Sequence, residues 1–208
     1  MKNAQIIFWD FDGVIKDSVE IKTMAFVKLF ESYGQDMKER VRQHHEANGG
    51  MSRFSKFPLY LKWIGEEVTS ERVHDLSEQF SKLVFQGVVD SPWVSGVEEY
   101  LRMNKYRQTF ILVSATPQGE LEQIIDLLEL KKSFTSIFGA PASKAEAIRT
   151  TLLNSKVSHD HALMIGDASA DLEAAQINRV PFLLRRHSSN AEIFADYGSV
   201  WINDFIQL

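Results

Sequence analysis

The chain has 208 residues, 44% hydrophobic and 25% charged; this ordinary globular usage excludes a disordered or fibrous protein and leaves ample material for a core. With 23 Lys and Arg against 28 Asp and Glu, the formal net charge is −5, and no dense basic run supplies the field that nucleic acid requires. The absence of cysteine excludes disulfide scaffolds, thiolate zinc sites and cysteine nucleophiles, and it fits the cytoplasm. No apolar stretch reaches the roughly 20 residues that span a bilayer, and Lys2 with the brief run from Ile6 to Trp9 makes no signal peptide, so a soluble cytoplasmic protein with no membrane partner is expected.

The run Ile6-Ile7-Phe8-Trp9 is short, aromatic and β-branched, and it stops at Asp10 and the Gly13 turn, as a buried strand does. From 18 to 89 the pattern is helical, with no convincing strand. Met24, Val27, Leu29 and Phe30 predict one helix ending near Gly34; Val73, Leu76, Phe80, Leu83 and Val84 predict another ending near Gly87. Between them lies a polar stretch, His44 to Arg53, containing Gly49-Gly50. Ser95 and Glu98 predict a capping box for a helix through Asn104. A strand from Thr109 to Val113 ends in Ser114-Ala115-Thr116. Pro117 then opens a helix from Gln118 to Leu130, with Leu121, Ile124, Ile125 and Leu128 on one face. Ser136 to Phe138 is a weaker strand. Ser143 and Glu146 predict a second capping box, for a helix through Leu153. Ala162 to Ile165 is a strand ending in Gly166-Asp167, and Asp171 opens a helix toward Gln176. Pro181 to Leu184 and Val200 to Ile202 complete the strands. Strand and helix in alternation predict an α/β fold with a parallel sheet covered on both faces. The helical stretch interrupting it reads as an inserted all-α domain, giving a core of 1–17 and 90–208 and an insert of 18–89.

In an open parallel sheet the carboxyl ends of the strands build the ligand crevice. Here those ends carry Asp10 and Asp12, Ser114 and Thr116, and Asp167 with Asp171 just beyond, while Lys144 enters at a helix start between them. Asp10 and Asp12 alternate, so on an extended chain both point to one side. Carboxylates gathered in one crevice repel unless a cation sits among them, and hard oxygen ligands suit Mg²⁺, which also takes phosphate oxygens. Lys144 and the Ser114 hydroxyl would then hold a phosphoryl group. Taken singly, each piece has a plainer reading: an Asp-x-Asp turn, an N-cap before Pro117, a solvated lysine, a first-turn acid at Asp171. Four such accidents in this order, three at strand ends, are less economical than one site.

These segments resemble the haloacid-dehalogenase-like (HAD) hydrolase superfamily. Asp10-Phe11-Asp12-Gly13-Val14 is similar to its first motif, Ser114-Ala115-Thr116 to its second, Ser143-Lys144 to its third and Gly166-Asp167-Ala168-Ser169-Ala170-Asp171 to its fourth. Trp93-Val94-Ser95-Gly96-Val97 is similar to the segment before the second motif. The resemblance implies a Rossmann-like core with a helical cap inserted after the first strand. It implies Asp10 as nucleophile forming an aspartyl-phosphate, and Asp12 as the acid and base that also offers a metal-binding carbonyl. Asp167 and Asp171 would complete the Mg²⁺ site; Ser114, Lys144 and the Ala115 amide would bind the phosphoryl oxygens. The acid at position 12 favours phosphoryl transfer over dehalogenation. The interval from Ser114 to Lys144 is short for the family, which puts its usual strand count in question.

In capped members the cap contacts substrate, and the polar loop from Asn48 to Lys56 is the candidate segment here. Arg53 and Lys56 are candidates to bind an anionic leaving group, with His44, His45 and Asn48 adding hydrogen bonds. The plainer reading is that both basic residues face water. Gly13 and the segment Lys16 to Ser18 would form the hinge. The expectation is a Mg²⁺-dependent phosphatase acting on a small phosphorylated metabolite. The alternatives are a phosphomutase similar to β-phosphoglucomutase and, of another class, a non-catalytic phosphate-binding regulator.

Overall fold

The structure is a computed structural model and describes residues 1–206. Strand β1 (Ile6–Trp9) is central. It pairs in parallel with β2 (Thr109–Pro117) on one side and β4 (Ala162–Gly166) on the other, Ile6 facing Thr109 and Ala162, and Trp9 facing Leu112 and Ile165. Strand β3 (Ser136–Ala140) lies outside β2; β5 (Phe182–Arg185) and β6 (Trp201–Ile202) lie outside β4. The described residues form a six-stranded parallel sheet of order β3-β2-β1-β4-β5-β6, the α/β Rossmann-like arrangement. The weaker strand at 136 therefore forms, so the short interval before Lys144 removes no strand from the sheet.

Alternation along β1 divides the core. Ile7 and Trp9 pack on one face with Leu112, Ile165, Val97, Leu101, Leu121 and Ile125. Ile6 and Phe8 pack on the other with Ile111, Met164, Ile148 and Ala174. Helices α5 (Val97–Met103) and α6 (Gln118–Leu127) supply the first face; α7 (Lys144–Ser155) and α8 (Ser169–Ile177) supply the second.

Four helices lie between β1 and β2: α1 (Val19–Leu29), α2 (Gln35–Ala47), α3 (Arg53–Trp63) and α4 (Ser70–Asp90). Their centre is aromatic, with Phe26 at 4.2 Å from Phe80 and 5.5 Å from Phe57, ring centre to ring centre. In α4 the buried residues Leu76, Phe80, Val84 and Val88 recur every four positions, as a one-sided helix requires. The two chain crossings into this insert run side by side, Asp17 N donating to Pro92 O and Val94 N to Ile15 O at 2.8 and 3.0 Å.

Several local expectations are corrected. Much of the polar stretch is helical: α2 runs through His44 and His45, and α3 begins at Arg53. Only Met37, Val41 and His45 are buried on α2, so its apolar stripe is too thin to read from composition. Arg53 and Lys56 thus lie on a helix rather than in a loop. Strand β2 extends through Ser114, Ala115 and Thr116 to Pro117, with a register shift against β3 after Val113. Helix α6 stops at Leu127, and Glu129 follows with a left-handed φ of 55°. Ser95 caps nothing, because Gly96 occupies the N-cap of α5 in a left-handed conformation. Ser143 does cap α7, accepting from Glu146 N at 3.2 Å, but the Glu146 carboxylate turns to Arg149 instead of closing the box. No helix among the described residues is long and apolar enough to cross a membrane.

Candidate active site

Because β1, β2 and β4 are parallel and in register, their carboxyl ends meet at one edge of the sheet. Asp10 leaves β1 there and Asp167 leaves β4. Lys144 is the first residue of α7, positioned by the Ser143 cap, and its ammonium lies 2.8 Å from Asp10 Oδ1 and 2.6 Å from Asp171 Oδ1. The other Asp171 oxygen accepts from Ala168 N at 3.1 Å, which ties the start of α8 to the same point. Asp167 Oδ2 lies 2.9 Å from His187 Nε2, and Asn190 donates to the Asp167 carbonyl at 2.8 Å. Oxygens of Asp10, Asp167 and Asp171 all fall within 4.8 Å of one another, and all three residues are buried.

Charge in this cluster is under-compensated. Burial, then the Asp171 carboxylate, push Asp10 up to about 7, against the pull of Lys144. Burial likewise raises Asp167 and Asp171, opposed mainly by His187 and Lys144 respectively. Burial acts to lower Lys144, but Asp10 and Asp171 outweigh it and hold the ammonium charged. Three buried carboxylates, two of them on one ammonium and the third on His187, form a set of hard oxygen donors that fits a divalent cation.

Asp12 is not part of that cluster. The chain turns at Phe11, whose carbonyl accepts from Ile15 N at 2.8 Å, so the two carboxylates meet different partners. Both residues line one cavity of about 60 Å³, but the Asp12 carboxylate accepts from Ser18 Oγ at 2.6 Å and from the Lys22 ammonium. Burial acts to raise Asp12; Lys22 and Ser18 overcome it and hold the carboxyl below its ordinary range. Directly after Asp12, Gly13 has φ +74°, and a Cβ there would stand 2.3 Å from Asp167 Oδ2, so only glycine fits.

Ser114 is buried, and its Oγ accepts from Thr116 N at 3.2 Å. It lines a cleft that adjoins the cavity at Ala115 and Lys144, which border both spaces. The cap candidates separate. Arg53 lines the cavity, but its guanidinium forks onto Glu120, Nη1 to Oε2 at 2.9 Å and Nη2 to Oε1 at 2.7 Å. Lys56 is fully buried, its Nζ 2.6 Å from His45 Nδ1; His45 lines the cavity and Lys56 stands behind it. Neither basic residue faces water. His44 Nδ1 meets the Tyr60 hydroxyl at 2.9 Å, and Asn48 donates to the His44 carbonyl, so both are engaged within the insert.

Sequence reasoning gave no role to Lys22, Glu120 or His187. Lys22 and Glu120 look like ordinary helix-surface charges, and their partners are remote in sequence. His187 did carry a signal, since it follows a strand end as Asp10 and Asp167 do.

The family profile described as haloacid dehalogenase-like hydrolase matches residues 6–184. The chain belongs to this family. Among curated relatives, a phosphorylated carbohydrates phosphatase of Thermotoga maritima is 22% identical over 178 residues, 83% of this chain and 80% of that protein. A β-phosphoglucomutase from Clostridium difficile superposes with a TM-score of 0.76 at 18% identity, over 99% of this chain and 93% of that one. CbbY from Rhodobacter sphaeroides, solved with xylulose-(1,5)bisphosphate, gives 0.75 at 15% identity, over 99% and 96%. These structural likenesses establish the haloacid dehalogenase fold.

Proposed function

We propose that this hydrolase is a Mg²⁺-dependent phosphatase that cleaves a small phosphorylated metabolite through an aspartyl-phosphate. The observation that carries the reading is the division of labour between the first two aspartates. Asp10 sits with Lys144 in the buried acidic cluster, while Asp12 is held apart on Lys22 and Ser18. One carboxylate is thereby placed to attack phosphorus and the other to move a proton.

In the first step Asp12 takes up a proton from solvent, against the pull of Lys22 and Ser18; Asp10 then forms an Asp10–phosphorus bond as the bond to the leaving oxygen breaks, and Asp12 gives that oxygen its proton. In the second step Asp12 takes a proton from water, the water oxygen bonds to phosphorus, and Asp10 is released. Lys144, the Ser114 hydroxyl and the Ala115 amide bind the phosphoryl oxygens. Asp10, Asp167, Asp171 and the Asp12 carbonyl would hold Mg²⁺, which when bound supplies positive charge to the phosphoryl oxygens. Residues 1–17 and 90–208 act as the catalytic core and 18–89 as a cap, the paired crossings at 15–17 and 92–94 serving as its hinge.

The test is release of inorganic phosphate from a panel of phosphorylated metabolites with Mg²⁺ and with EDTA. Mg²⁺-dependent release that disappears in Asp10→Asn, with the unfolding midpoint kept, is the expected result. Normal turnover in that variant removes Asp10 as nucleophile. Isomerisation dependent on a bisphosphate primer, in place of release, assigns the same residues to a phosphomutase.

A further inference from the structure

Arg53 reaches the cavity from α3 of the insert, and Glu120 comes from the first turn of α6 on the sheet side. Their fork-on-fork pair is buried, with side chains 3% and 8% exposed. Ser81, on α4, donates to Glu120 Oε2, and its Oγ also accepts from Arg53 Nη1 at 2.6 Å. Arg53 Nη1 reaches the Ser77 carbonyl at 3.3 Å as well. The guanidinium edge that would grip a distal anion is already filled by a carboxylate.

The other cations lining this cavity are committed too. Lys22 serves Asp12, and Lys144 serves Asp10 and Asp171. Among the described residues no cation lining the cavity stands without a carboxylate. Freeing Arg53 for a second substrate anion would strand Glu120 as a buried, unpaired charge, which is strongly unfavourable. The adjoining cleft, about 370 Å³, adds the hydroxyl-bearing residues Ser52, Ser55 and Ser143; Lys144 is its single cation among the described residues. Hydroxyls and a spent arginine suit an uncharged, hydroxyl-bearing leaving group.

We propose that Glu120, by occupying Arg53, restricts the site to phosphate monoesters with an uncharged leaving group such as a sugar or polyol, and excludes those carrying a second phosphate. This rests on the phosphatase reading above. Glu120 is a positioning residue, acting through Arg53.

The test compares glucose 6-phosphate with glucose 1,6-bisphosphate, which presents the same ester plus a second phosphate. Wild type is expected to favour the monophosphate by at least tenfold in kcat/KM. In Glu120→Gln, a near-isosteric change that frees the Arg53 charge, the bisphosphate-to-monophosphate ratio rises at least tenfold, through KM and not kcat. Glu120→Asp keeps the low ratio, and adding Arg53→Ala to Glu120→Gln abolishes the gain. An unchanged ratio in Glu120→Gln, a gain that persists without Arg53, or a wild-type preference for the bisphosphate overturns the inference while leaving the phosphatase intact. If neither compound releases phosphate, the phosphatase reading fails on these substrates. The inference is then decided by calorimetric binding of the same pair: tenfold tighter bisphosphate binding in Glu120→Gln upholds it, and equal binding overturns it.

Discussion

The ammonium of Lys22, on the first helix of the insert, donates both to the Asp12 carboxylate and to Thr116 Oγ1, the latter at 2.8 Å. One side chain thus ties the insert to two groups at the catalytic edge of the sheet. A lysine there holds Asp12 ionised below its ordinary range, although burial works against it.

Lys22→Met is expected to cost stability in a pH-dependent way. Asp12 has its folded pKa depressed below 3.8, so the pair contributes above about pH 4 and is lost as the pH falls through the lower folded value. The variant should be about 1–3 kcal/mol less stable at pH 7 and approach wild type only once the pH has fallen through the folded value of Asp12. Denaturant unfolding across that range decides it; parallel curves would dismiss the pair as a stabilising contact.

Lys56 predicts a profile of the same sign in a higher pH window. Burial pushes its pKa down from 10.5 to about 7 in the fold, with the nearby Lys22 charge adding to the effect. Its contribution is fully present above 10.5 and is lost as the pH falls through 7. Between those values wild-type stability should climb with pH relative to Lys56→Met, on the order of 1.4 kcal/mol per unit at most. Thermal melts from pH 6 to 10 test this, and a constant difference between the two proteins contradicts it.

His187 should matter to the metal more than to the fold. Its Nε2 lies 2.9 Å from an Asp167 oxygen and so orients that carboxylate. Groups that orient metal ligands typically change affinity by about 10–100-fold. Calorimetric titration of His187→Ala with Mg²⁺ should register a loss of that size, and unaltered affinity would rule out the orienting role.

Gly50 packs directly on the start of α8, where a Cβ would lie 2.7 Å from the Ala170 Cβ. Gly50→Val should wedge the insert off the core, lowering kcat/KM at least tenfold with little change in unfolding midpoint. Wild-type kinetics in that variant would mean that closure at this contact is irrelevant to turnover.

Much of the fold was legible because its signals are local. Apolar runs of four or five residues, each closing on a polar group, identified β1 and β4 and, with them, Asp10 and Asp167. Helix α2 escaped notice because it buries only every fourth residue of a polar segment, a pattern that depends on its neighbours. The polar reach of Ser114 to Thr116 was visible, but not that it continues the strand, since pairing with β3 extends it.

By itself the sequence determined the strand-end chemistry, the order of the motifs and the long helical insert, all set by residues within a few positions of one another. Tertiary structure alone decided which charge meets which. Arg53 finds Glu120 across 67 residues, and Lys22 finds Thr116 across 94. Lys56 turns inward to His45 instead of outward to substrate. The reason is that a charged side chain's role depends on the dielectric and partner it meets after folding, and neither is encoded in its immediate neighbours.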